Sequence, residues 1–222
     1  KVRVYNTCAG YQYVRAKPTQ GTENFGLPAK ADKKNRPYED LLAFKTDAGE
    51  LAKSLLDMGI TGMKIWPFDE AAEASNGSYI SNADLKKAMR PFEQIRKAVG
   101  DKMDIHVEFH SMWNLPTAIR IAEALEQFDP FWYEDPIKMN NIDAVADYAH
   151  RTNVWVTASE TLGTRWGFRE LFEKQAVSVC MLDVGWTGGL SESKKIATMA
   201  EAYQLPVAPH DCTGPILLTA SV

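Results

Sequence analysis

No apolar run in this sequence approaches the ~20 residues that a helix needs to cross a bilayer, which argues against a helical membrane protein. The opening, KVRVYNTCAGY, alternates like a strand and lacks the charged-then-apolar build of a secretory signal. Cysteine is scarce: Cys8, Cys180 and Cys212 are an odd number at no metal-type spacing. A disulfide scaffold or a cysteine-rich zinc site is therefore not expected, and a reduced, cytoplasmic setting is. Neither sign of charge dominates, with 25 Lys and Arg against 29 Asp and Glu. Without a basic stripe there is no electrostatic footprint for nucleic acid. What remains is ordinary globular composition, 45% hydrophobic and 24% charged, in 222 residues that hold one large domain or two small ones.

Short apolar runs alternate with helical patterns from end to end. Strands are expected at 2–8, 62–66, 104–109, 131–134, 154–158, 177–183 and 205–208, each rich in β-branched or aromatic residues and closed by a polar or turn-forming residue. Helices are expected at about 47–58, 82–98, 114–127, 140–151, 165–174 and 189–203. Asn82 and Asn114 fit as N-caps, Gly59 and Gly100 as C-terminal stops, and Pro91 should kink or split the second helix. Alternating β and α units imply a parallel α/β fold. Seven of them fit an open doubly wound sheet or a (β/α)8 barrel short of one strand. Residues 15–40 and 69–81 break the rhythm, polar and turn-rich, as surface insertions or as a lid or subunit contact.

The acidic residues keep a regular interval. Glu108, Glu134 and Glu160 are spaced 26 residues apart, Asp183 follows 23 later and His210 another 27 later. A strand, a helix and two loops occupy about that length. Every unit from the third apolar run to the seventh thus brings one ionisable group to the same rim, which in a barrel is where active sites form. One Glu closing a buried strand would mean nothing, since polar residues routinely do so. Three in succession would repel one another unless protonated or neutralised. A divalent cation removes that penalty, and an all-oxygen ligand set suits Mg²⁺ or Mn²⁺.

The blocks VEFH (107–110), WYEDP (132–136), ASETLGT (158–164), LDVGWTGGL (182–190) and APHDCTGP (208–215), in this order and at these intervals, resemble the barrel of the enolase superfamily. Within it they are most similar to the mandelate racemase subgroup and to its acid-sugar dehydratases of the galactonate dehydratase type. The resemblance runs over nearly the whole chain and implies a single metal-binding barrel domain over 1–222.

By that resemblance Glu108, Glu134 and Glu160 are the metal ligands. Asp183 and His210 match the subgroup's dyad, the carboxylate fixing the tautomer of an imidazole base. Lys64 matches the first Lys of the Lys-x-Lys motif and would face the substrate carboxylate. His110 is similar to the acid that protonates the departing hydroxyl, and shares Glu108's face if the strand continues that far. His106 has the same parity but sits deeper, as a buried polar residue of the interior. Arg165, Trp113 and Trp186, just past strand ends, are candidates for substrate contact. Two departures stand out. The family usually has Asp where this chain has Glu108, and Trp66 replaces the second Lys of the motif. The segment 216–222 reads as the start of the helix after the seventh strand. The family's eighth-strand Glu and its capping domain are then not in this sequence.

The expected activity is a Mg²⁺-dependent acid-sugar dehydratase giving a 2-keto-3-deoxy sugar acid, acting on a small molecule as a homo-oligomer. The alternatives are a racemase or epimerase of the same superfamily, which Trp66 disfavours, and a non-catalytic relative.

Overall fold

The computed structural model describes residues 2–10 and 39–222. The polar stretch 15–40 lies outside the described residues except for Glu39 and Asp40. The described chain forms two compact units, one of residues 2–10, 39–108 and 124–131 and one of 109–123 with 132–222. Both are parallel α/β, with strands in chain order.

In the first unit, β1 (Gly62–Ile65) pairs in parallel with β2 (Asp104–Glu108), placing Lys64 opposite His106. The segment expected as the first strand joins the other edge of β1 through a single bridge, with Asn6 bonded to the backbone on both sides of Met63. Helix α1 (Asp40–Asp57) packs against α3 (Asn82–Val99), and their apolar sides bury Leu41, Leu51, Leu55, Phe92 and Ile95. Removing such side chains from water stabilises the fold by roughly 1.5–3 kcal/mol each.

Local chemistry explains where helices start and stop. α1 begins seven residues before the expected position, because the carboxylate of Glu39 caps it by accepting from the amide of Leu42. The helix is broken at Asp47 (φ −154°, ψ 61°), and the side chain of Gln94 takes the amide of Ala48 there. The cap of α3 is Ser81, not Asn82, its hydroxyl accepting from the amide of Asp84. Gly59 and Gly100 follow their helices with positive φ, as expected of C-terminal stops. Pro91 does not split α3. It removes one hydrogen bond, but the acceptor left over is the carbonyl of Lys87, an exposed residue that water can reach, while Pro91 itself is buried among Ala88, Met89 and Phe92. Residues 69–81 are not wholly irregular, since α2 (Asp69–Ser75) makes two turns and buries Asp69 and Ala72.

In the second unit β3 (Trp132–Glu134), β4 (Trp155–Ala158) and β5 (Val179–Cys180) run in parallel. The seventh expected strand appears as two bridges, Cys180 to Val207 and Asp183 to His210. Helices α4 (Leu115–Leu125), α5 (Ile142–Arg151), α6 (Thr164–Glu173) and α7 (Leu190–Ala202) alternate with the strands, and α8 (Pro215–Ser221) follows the last bridge. Asn114 caps its helix as expected, accepting from the amide of Thr117. The core here is aromatic, with Phe109, Tyr133 and Tyr148 stacked edge to face and Phe168 against Phe172.

Candidate active site

Both units carry ionisable side chains at or next to the C-terminal ends of their parallel strands. In the first unit Lys64 and Glu108, each buried, form an ion pair of 2.8 Å. A charge moved out of water is tolerated only with such a partner. Beside them His106 is 2% exposed, enclosed edge-on by the rings of Tyr5 and Phe131. Burial first, then the positive charges of Lys64 and Arg3, hold its pKa down at about 3, so the ring is neutral. The expectation of a buried interior His is met. Trp66 is buried too, its indole N–H donating to the carbonyl of Thr7 at 3.2 Å.

In the second unit the groups converge on His210. Its Nδ1 lies 2.9 Å from Oδ2 of Asp183, and its Nε2 lies 2.7 Å from Oε2 of Glu160. Asp183 is fully buried and its orientation is fixed, because Oδ1 accepts from the amides of Gly185 and Trp186. One oxygen is held by the turn, which leaves the other to hold the imidazole. Nδ1–H therefore donates to Asp183, and Nε2 is the nitrogen left to exchange a proton. Glu134 closes β3 with its carboxylate accepting from the indole of Trp132 at 3.2 Å. Ligand oxygens of Glu134 and Glu160 come within 4.8 Å of each other.

Several expected positions turn out otherwise. β2 ends at Glu108 and His110 has φ of 50°, so strand alternation does not carry His110 onto the face of Glu108. Trp113 is fully buried and takes no part in a surface contact. Arg165 does not present an open guanidinium. Glu192, in the first turn of α7, accepts from its Nε at 2.8 Å, its Nη2 at 2.7 Å and its backbone amide at 2.9 Å. That clamp draws the carboxyl of Glu192 below the usual range. Trp186 is 48% exposed with its ring 6.4 Å from that of His210, where a substrate contact is expected.

Sequence reasoning missed some supporting groups. Asp135, buried beside Glu134, accepts from the hydroxyl of Ser159, which in turn receives the amide of Thr161. The residue after Glu134 and the residue before Glu160 are thus tied together. Trp132 was findable, since it sits two residues before Glu134 and shares its face. Glu192 was findable as well: it follows Arg165 by 27 residues, about one βα unit.

A family model described as enolase C-terminal domain-like matches residues 47–222. The chain belongs to that family. The fold class is accordingly the α/β barrel of the enolase superfamily, and the open doubly wound alternative is set aside. This enolase-type chain is 32% identical over 143 residues to a D-xylonate dehydratase of Haloferax volcanii, an alignment covering 64% of the chain and 35% of that protein. It is likewise 32% identical to an arabinonate dehydratase of Saccharolobus solfataricus, over 64% of the chain and 38% of that protein. The crystal structure of an enolase of the mandelate racemase subgroup from Agrobacterium tumefaciens matches with 62% identity and a TM-score of 0.77, over 78% of this chain and 48% of that one. The chain thus spans a little over a third of the curated relatives it matches and about half of that solved structure.

Proposed function

We propose that this chain provides the catalytic barrel of a Mg²⁺-dependent acid-sugar dehydratase. The observation that carries the reading is the run Asp183–His210–Glu160, an imidazole oriented by its hydrogen bond at Nδ1 with a carboxylate 2.7 Å from Nε2. The similarity to two sugar-acid dehydratases supports it.

The donor set suits the cation. Glu134 and Glu160 supply oxygens only, within 4.8 Å of each other and mostly buried, where two carboxylates are costly without a counter-charge. Glu108, at the end of β2, is proposed as the third ligand, with Mn²⁺ as the alternative ion. When bound, Mg²⁺ supplies Lewis-acid stabilisation of the negative charge that develops on the substrate carboxylate. Lys64 would add a fixed positive charge toward the same group. His210 takes the proton from the carbon next to the carboxylate at Nε2, and Asp183 stabilises the resulting imidazolium. The hydroxyl on the next carbon leaves with a proton, from His110 or from His210 itself, as water. The enol that remains tautomerises to a 2-keto-3-deoxy acid. Trp186 would pack against the sugar chain. Arg165 is better placed to brace that loop through Glu192 than to touch substrate.

The test is to incubate the full-length protein and Mg²⁺ with aldonic and aldaric acids, follow 2-keto acid formation, and record proton NMR in D₂O for both C2 epimers. One-sided exchange at C2 with keto-acid formation is expected, since the indole of Trp66 cannot exchange a proton. Exchange into both epimers with interconversion would mean a racemase. Neither exchange nor product would mean a non-catalytic relative.

A further inference from the structure

The loop after the last strand position brings a thiol back to the dyad. Cys212 follows His210 by two residues, and one ligand atom from each of Asp183, His210 and Cys212 lies within 4.8 Å of the other two. This is a different donor set from the carboxylates beside it. Oxygen, nitrogen and sulfur together suit zinc-type cations, which accept three protein ligands and keep a fourth position open, whereas Mg²⁺ avoids thiolate.

The three side chains are gathered, and one bond has to open. Asp183 and His210 are 0% and 4% exposed, and the 2.9 Å hydrogen bond between Nδ1 and Oδ2 widens to the roughly 3.3 Å between ligand atoms of a tetrahedral centre with bonds near 2 Å. Cys212 closes in from a partly exposed turn leading to Gly214. The other two cysteines are buried, so Cys212 is the thiol a metal can reach.

We propose that Asp183, His210 and Cys212 form a second metal site, selective for Zn²⁺-type ions over Mg²⁺, and that filling it shuts off the base. The thiol gives its proton to solvent as the sulfur–metal bond forms. A neutral imidazole bound through one nitrogen carries its proton on the other, so whichever nitrogen is ligated, His210 keeps no lone pair to take a proton from substrate. The site itself does not depend on the dehydratase reading; only its effect on catalysis does.

The experiment uses full-length protein saturated with Mg²⁺ and titrated with Co²⁺ as an optical stand-in for Zn²⁺. A thiolate-to-cobalt absorption band that saturates at one equivalent, is bleached by Zn²⁺ and disappears in Cys212→Ser is expected. No such band, or a band that survives Cys212→Ser, overturns the proposal. A second measurement needs no variant. Alkylation of Cys212 by iodoacetamide, followed by peptide mass, should slow about tenfold with Zn²⁺ and not with Mg²⁺. Equal rates with the two ions would also overturn it. If the cobalt band is present but no sugar acid is turned over, the site stands and the dehydratase reading fails.

Discussion

Single residues at the rim divide cleanly by what each is asked to hold. Glu134→Gln replaces a charged oxygen with a neutral one where the cation wants charge, so Mg²⁺ affinity by calorimetry should fall by at least about tenfold. His210→Asn should leave that affinity within about threefold while abolishing solvent exchange at C2, because the imidazole is proposed as base and not as Mg²⁺ ligand. Wild-type exchange in the His210 variant would remove it from the mechanism. His106 makes a separate prediction about pH. In the unfolded chain its imidazole binds a proton near pH 6.5, whereas the folded protein resists until about 3. The unfolded state therefore holds more protons across that window, and stability is full above pH 6.5 and falls as pH drops toward 3. The loss amounts to about 4–5 kcal/mol at the low end. Urea midpoints at pH 7 and pH 4 should separate widely in the wild type and less in His106→Gln. Equal separation would assign the effect to other groups.

At the level of elements, helix ends and their loops carry much of the specificity of the fold. Arg96, in the last turn of α3, donates to the carbonyls of Gly100, Met103, Phe128 and Asp129, which ties residues 124–131 to the first unit. Arg96→Ala leaves four acceptors without their donor and should cost about 2–3 kcal/mol in denaturant unfolding, against well under 1 kcal/mol for truncating an exposed helix residue. This clamp was not legible in the sequence, because the four carbonyls are backbone groups spread over 30 residues of chain. Five of the seven expected strands form as strands, their apolar runs being short and closed by polar residues, while 2–8 and 205–208 are reduced to isolated bridges. The start of α1 was misread for a physical reason. Glu is an uncommon cap, and the break at Asp47 imitates a fresh start. α2 was missed because seven residues are too few to display a helical stripe. The nearness of Asp183 to His210 and of Glu134 to Glu160 was legible because one βα unit has a nearly constant length. The pairing of Arg165 with Glu192 was missed because the partner lies in the following helix.

Binding of the proposed Mg²⁺ should be felt by the molecule as a whole. A ligand that binds only the folded state stabilises it by about 2.7 kcal/mol when present at a hundred times its dissociation constant. For a domain of this size that is a melting shift of about 5–10 °C, which a chelator should reverse and Glu134→Gln should largely erase. Differential scanning calorimetry with and without Mg²⁺ checks it, and identical melts would argue that no cation is resident. The same global view gives the turn at 183–187 a meaning beyond catalysis. The two amides that fix Asp183 belong to Gly185 and Trp186, and Trp186 also faces outward beside the imidazole. Changing the length of that turn would unseat the base along with the indole, whereas swapping the side chain at 186 spares both amides unless Pro is introduced. On the proposed function, new substrate preferences are therefore expected here by point replacement and not by insertion. A randomised library across the turn should return active members varied in residue 186 and uniform in length.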